Sequence, residues 1–295
     1  MIPGASWHLG WNVISLGLAA SFFWGASDFL GGLATRKSHV VGVVAIAHSL
    51  SLLLLLVIAL GTHAPPLSER FALLGLCAGF FGGIALILYY QALSMGEMGL
   101  TTALTGLLTA MVPVVFSFLT QGSPKSTQLA GFVLAAAAIA LIAYAPVSAP
   151  RPLALGLATL SGLGFGVFLV VLKLSSAHGV LWQMVFSRMA SAGLAIAAVI
   201  WIRVRAGQRK AALAPNQSTY PFLWLAGSAG VLEATGSLLY MAAARRGRLD
   251  VAAVLASLYP VATIVLAAWI LKERTTVSQA FGMALALGAV VLVSI

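Results

Sequence analysis

The chain has 295 residues, of which 61% are hydrophobic and 7% charged, with a formal charge of +10. Soluble domains carry about 25% charged residues, so this composition excludes a water-soluble globular fold and calls for a bilayer. The bases cluster between apolar runs, which assigns them to membrane orientation and anionic headgroups rather than to nucleic acid, and the lone cysteine, Cys77, excludes an intrachain disulfide or a cysteine metal cage.

The short N-terminal segment 1–12 has no positive n-region and is not expected to be a cleaved signal. Beyond it, apolar runs of about 20 residues, the length that a bilayer core demands, predict ten helices. They lie near 13–35, 40–61, 69–93, 99–120, 127–146, 153–174, 180–202, 220–243, 250–271 and 276–295. Most breaks carry turn chemistry, as in THAPPLSER, QGSPKS, APVSAPRP and APNQSTYP. The breaks after the third and eighth helices are short, which predicts antiparallel neighbours.

An ionisable side chain in the apolar zone costs ~2.5–3.5 kcal/mol on insertion scales, so such a group faces the protein interior or a wet cavity. The first helix places Asp28 one turn after Trp24, among Gly25, Gly31 and Gly32. That pattern reads either as a cavity wall with a carboxylate beside an aromatic face or as a structural carboxylate near the helix end that pairs with Arg36 or a neighbouring helix. The second helix carries His48, a packing residue or a proton carrier. The third ends in Tyr89, Tyr90 and Gln91, which supply aromatic faces and hydrogen-bond groups to a cavity or anchor the interface. The fourth sets Thr102, Thr105 and Thr109 on one face, a pattern that usually reflects bonding back to the helix's own carbonyls.

The sixth helix contains GLGFG at 162–166, which resembles a nucleotide-loop fragment but follows no strand, so helix packing explains it. Arg188 in the seventh helix and Glu233 in the eighth are each other's best partner. Their pairing reads as a structural ion pair joining those helices, or as a site for a substrate head group. Ser237 and Tyr240 extend a polar stripe from Glu233, and Tyr259 adds aromatic surface at the ninth helix. Pro113 and Pro260 lie inside the fourth and ninth helices, where each removes a backbone hydrogen bond and can kink or gate the helix. Lys272, Glu273 and Arg274 read as an interfacial anchor.

The halves repeat. LGLA at 16–19 returns at 155–158, and Gly25 and Phe29 meet Gly164 and Phe168 at the same offset of 139. Tyr89, Ala92, Gly96, Gln128 and Gly131 meet Tyr240, Ala243, Gly247, Gln279 and Gly282 at an offset of 151. Residues 13–146 therefore form one five-helix repeat, 147–152 a linker and 153–295 a second repeat. Five is odd, so the second repeat enters the membrane from the opposite side. The expected fold is an all-α integral membrane protein of ten transmembrane helices in two inverted five-helix repeats, with its substrate site where the halves meet.

Three stretches carry a family resemblance: FWGASDFLGG, YYQALSMGEMGLTTALTGLLTAMVPVV, and AAVLASLYPVATIVLAAWILKERTTVSQAFGMALALG. The chain resembles the EamA-type exporters of the drug/metabolite transporter superfamily. The first repeat departs from the pattern, since Gly122 stands where the second has Glu273, and Pro113 precedes it by nine residues rather than thirteen. The resemblance implies export of small metabolites, often amino acids, from bacterial cytoplasm across the plasma membrane. It also implies cytoplasmic termini, whereas nine bases in loops after odd helices against six after even ones favour outside termini.

No HExxH, GxSxG or loop-borne carboxylate pair occurs, so the expected protein is a secondary transporter and not an enzyme. The aromatic residues point to amino acids with aromatic or large apolar side chains. No cofactor and no metal is expected. The expected partners are the small-molecule solute, a proton and membrane lipids, with the chain acting as a monomer. A lipid-carrier flippase on the same fold is the alternative, and a membrane-embedded enzyme a more distant one.

Overall fold

The computed structural model describes residues 5–36, 38–66, 68–95, 98–143, 152–175, 179–207, 219–270, 272 and 276–294. Lys37, Gly96, Arg151, Arg209, Lys210, Glu273 and Arg274 lie outside them, as does nearly all of the 147–152 linker. Among the described residues there are eleven helices and no strands. They are α1 (Ala5–Thr35), α2 (Val40–Gly61), α3 (Glu69–Met95), α4 (Met98–Gln121), α5 (Ser126–Ala143), α6 (Pro152–Ser175), α7 (Val180–Gly207), α8 (Thr219–Arg246), α9 (Leu249–Ala256), α10 (Tyr259–Ile270) and α11 (Val277–Ser294).

Eight stretches are long and apolar enough to cross a membrane, one of them formed by α9 and α10 together, and two shorter apolar helices lie in α5 and α11. The outward surface is apolar as a lipid-facing surface must be. Leu119 is 75% exposed, Trp224 78% and Trp269 79%.

The first helix begins at Ala5, and its apolar span, Val13–Thr35, keeps the predicted bounds. One expectation needs correction. The ninth predicted helix is broken at Ser257 and Leu258. Pro260 has no N–H to give the Ala256 carbonyl, so the chain tightens instead: Leu258 N–H donates to Leu255 O at 3.3 Å and Val261 N–H to Leu258 O at 3.0 Å. Ser257 Oγ–H fills a further acceptor, Ala253 O, at 2.6 Å. Pro260 thus sits in the first turn of α10, where a proline is tolerated. Pro113 lies inside α4, which runs on as one helix. The break in the second half thus has no counterpart break in the first.

The packing interleaves the halves. α1 packs most heavily on α8, and its counterpart α6 on α3. α4 lies on α6, while α1 takes both α9 and α10; α2 lies on α7 and α5 on α11. Exchanging the halves turns each of these contacts into another of the same set. The short-loop pairs α3–α4 and α8–α9 do touch, but each of those helices buries its main face elsewhere.

Glycines permit this closeness. A Cβ on Gly162 would stand 2.7 Å from Thr105 O, and one on Gly166 would stand 2.6 Å from Val112 Cβ. The GLGFG stretch is thus the seam between α6 and α4. Gly79 likewise meets the Ser187 carbonyl of α7, and Gly230 meets the Ala47 carbonyl of α2. At each of these points the two backbones are in contact.

Candidate functional site

Where the interleaved halves meet, they leave a narrow cavity lined by side chains of both. Its apolar wall is aromatic: Trp24 from α1, Phe165 and Phe168 from α6, and Tyr259 from α10, with Gly82 and Leu86 of α3 leaving room between them. Five polar side chains reach it, namely Asp28, His48, Thr109, Arg188 and Glu233. They divide into two clusters of different character.

The first cluster gathers around Asp28. The Tyr89 hydroxyl of α3 stands 3.0 Å from Asp28 Oδ2 and also 3.0 Å from Thr102 Oγ1 of α4. A phenol has one proton. Giving it to the carboxylate and accepting from Thr102 satisfies all three groups. Ser27 beside it donates to Ala229 O at 2.8 Å and ties α1 to α8. Tyr90 fills the space over Gly31, where a Cβ would collide with its hydroxyl. Asp28 itself is partly exposed, to the cavity it lines. Among the described residues no Lys, Arg or His lies within ion-pair distance of it, and Arg36 is on the outer surface after α1.

The second cluster is charge-balanced. Arg188 Nη2 lies 2.6 Å from Glu233 Oε1 and 2.5 Å from Oε2. The same group reaches Ser237 Oγ at 3.3 Å, and Arg188 Nε donates to Ser51 Oγ of α2 at 3.1 Å. Ser237 Oγ–H donates to Glu233 Oε1 at 2.8 Å, and Trp24 Nε1–H reaches Ser237 Oγ at 3.4 Å. The Arg188 side chain is only 2% exposed. A charge so deep needs a partner and satisfied protons together; Glu233 supplies the partner, and hydrogen bonds from Nε and Nη2 supply part of the rest. The pair does not simply join α7 to α8, which barely touch. It runs through α2, whose Ser51 stands in the network.

His48 is buried against this second cluster, and its Nδ1 has no hydrogen-bond partner. Tyr240 packs its ring 5.6 Å from that of Trp24, and its hydroxyl is also unpartnered. Among the described residues no group of three or more His, Cys, Asp or Glu could hold a metal ion.

A family model described as the EamA-like transporter family matches residues 11–144 and 152–295. The chain belongs to the EamA-like transporter family. Its two matched segments are the two repeats of a multi-pass membrane transporter. The transporter is also similar to a solved structure titled "Crystal structure of protein", with a TM-score of 0.68, 18% identity and 95% of each chain covered, a likeness that shows the fold. No curated protein matches the chain at a significant level.

Of the residues singled out from sequence, the transporter brings Trp24, Asp28, His48, Arg188, Glu233 and Tyr259 to the cavity wall. Tyr89, Ser237 and Tyr240 stand directly behind them, and Tyr90 is buried on the α1 glycines. The two helix-3 tyrosines are 1% exposed, so they are not interface anchors. Gln91 does not join the site: its side chain bonds Ser94 at 3.4 Å in the exposed end of α3. Thr109 does bond back to Thr105 O at 2.8 Å, as helix threonines commonly do, but Thr105 donates across to Ala158 O of α6 at 3.2 Å.

Sequence reasoning missed Thr102, Ser51, Phe165 and Phe168 as parts of the site. Phe168 had been seen only as a repeat match to Phe29. Ser51 gave no signal, because a serine in an apolar helix is ordinary until an arginine from another helix reaches it.

Proposed function

We propose that this transporter moves small amphipathic solutes by alternating access about the central cavity, without ATP. The solutes are amino acids with aromatic or large apolar side chains, and amines built on the same bodies. The observation that carries this reading is Asp28, a carboxylate with no cationic partner among the described residues, set one turn from Trp24 in an aromatic-walled cavity. A carboxylate so placed attracts an ammonium group or a proton, and the rings take an apolar or planar body. Proton exchange at Asp28 then couples the solute to the proton gradient. Alternating access needs two halves that can exchange roles, and the interleaved contact pattern supports that.

The ten-span count is supported by length. α5 and α11 have 18 residues each, about 27 Å at 1.5 Å per residue, close to a bilayer core of ~30 Å. They pack on each other, and α9 with α10 supplies the remaining span. Ten spans in two five-helix repeats make the repeats inverted, with both termini on the cytoplasmic side of a bacterial plasma membrane. The cavity lies wholly within one chain, which supports a monomer as the working unit.

Counterflow of radiolabelled aromatic amino acids in proteoliposomes, with and without a pH gradient, tests the proposal. Exchange above empty vesicles is expected, and a pH gradient should accelerate it. Sugar transport at matching rates would refute the preference for amphipathic solutes.

A second reading, a lipid-carrier flippase, has one observation in its favour. An apolar groove lined by Leu50, Leu223, Trp224, Gly227 and Val231 faces outward between α2 and α8. Just behind it the two helices meet at Gly230 and Ala47, ahead of His48 and Glu233. Scrambling of a labelled lipid carrier by the purified protein would favour this reading over solute export.

A further inference from the structure

We infer that the cavity recognises its solute through the cationic amine and disfavours a free carboxylate, so that among the amphipathic solutes proposed above it takes aromatic monoamines ahead of the parent zwitterions. This rests on the transporter reading above and narrows it. A receptor for an amino acid needs two opposite poles, and the sequence supplies an obvious candidate for each: Asp28 for the ammonium and Arg188 for the carboxylate. The geometry removes the second. Glu233 neutralises Arg188 through both carboxylate oxygens, at 2.5 and 2.6 Å, while Ser51 and Ser237 take further contacts.

The remaining wall offers a carboxylate hydroxyl donors from Thr109 and Tyr259 but no second guanidinium or ammonium. Besides the charged groups and His48, the lining is aromatic, aliphatic, glycine or threonine. With Arg188 and Glu233 cancelling, the formal charge of the cavity is that of Asp28 alone. A monocation brings this to zero. A zwitterion satisfies Asp28 but leaves its own carboxylate unpaired in a site that already holds two, and unpaired charge is a strong basis for discrimination. A simple anion is repelled outright.

Trp24 supports the same assignment. Its ring stands one turn from Asp28 on the cavity side of α1 and is held by Tyr240 at 5.6 Å and by Ser237 at 3.4 Å. A fixed indole face next to a carboxylate is suited to a cationic nitrogen, which gains from both.

Three ligands of one shape separate the possibilities: phenethylamine, phenylalanine and 3-phenylpropionate, which differ only in their charged ends. Their binding is measured at neutral pH by isothermal titration calorimetry on the full chain in nanodiscs, which avoids passive permeation of the amine. The expected order is phenethylamine first, phenylalanine at least about tenfold weaker, and no heat from 3-phenylpropionate. Asp28→Asn, folded by its unfolding temperature, should lose phenethylamine binding. Phenylalanine binding as tightly as phenethylamine, or more tightly, would overturn the inference and leave the transporter reading standing. No heat from any of the three would also overturn it, and counterflow of another solute would then show that the reading survives. Phenethylamine binding undiminished in Asp28→Asn would place the amine elsewhere and overturn the assignment to Asp28.

Discussion

The two polar clusters of the cavity hold the same kind of group under opposite conditions. Around Arg188, two charges cancel and hydroxyls from α2 and α8 complete the hydrogen bonding. Around Asp28, the Tyr89 hydroxyl bonds the carboxylate and Thr102 backs Tyr89, with no cation in ion-pair distance among the described residues. Burying a charge is expensive in either place. One cluster repays the cost with its own partner and so links three helices, whereas the other, in the proposed mechanism, leaves it for a proton or a ligand. The repeat sharpens the contrast. At the 151-residue offset, Glu233 has Gly82 as its counterpart, and both line the cavity. Tyr240 corresponds to Tyr89, yet only Tyr89 finds a carboxylate, while Tyr240 keeps an unpartnered hydroxyl. The halves share a backbone plan and have diverged in where they place charge.

The largest effect should come from breaking the balanced cluster. Arg188→Met leaves Glu233 buried without its partner and should destabilise the protein by about 3–5 kcal/mol, read as a fall in unfolding temperature in detergent. The double variant Arg188→Met with Glu233→Met should recover most of that loss, because an apolar pair replaces an ionic one. A double variant no more stable than the single would show that the pair does more than neutralise itself.

At the other cluster, Tyr89→Phe removes the donor to Asp28 and the acceptor for Thr102. A hydrogen bond to a charged group is worth about 1.5–3 kcal/mol. Stability should fall by that order, and transport should fall several-fold as Asp28 loses its fixed position. Transport and stability both unchanged would mean that Tyr89 does not hold the carboxylate.

These two substitutions also mark how far the sequence could be read. The spans were legible because an apolar run of bilayer length has few other meanings, and α2 follows its predicted bounds. The break before Pro260 was not, since a proline inside a helix and one opening a second helix look alike until the hydrogen bonds around Ser257 are seen. The Arg188–Glu233 pair was legible because two buried opposite charges demand each other. Its third member, Ser51, was not, because the packing of α2 on α7 joins helices far apart in the sequence. Whether Asp28 paired with Arg36 was open from spacing alone, and only the turn that places Arg36 on the outer surface separates them.

Smaller still, Ser237→Ala removes one donor to Glu233 but leaves Arg188 in place. It should cost about 1 kcal/mol, and its unfolding temperature should lie between those of wild type and Arg188→Met. Gln91→Ala sets the baseline: its partner Ser94 sits in the exposed end of α3, so stability should change by no more than ~0.5 kcal/mol and transport not at all. A marked transport defect there would extend the site beyond the cavity wall.

The central claim is that Asp28 is kept for function while the Arg188–Glu233 pair is kept for structure. Asp28→Asn tests it most directly, because the amide keeps the shape and a hydrogen bond to Tyr89 and removes only the charge. Counterflow in proteoliposomes, measured beside the unfolding temperature of the same preparation, should show transport abolished with thermal stability equal to wild type or higher. A stable Asp28→Asn protein with full transport would contradict the account.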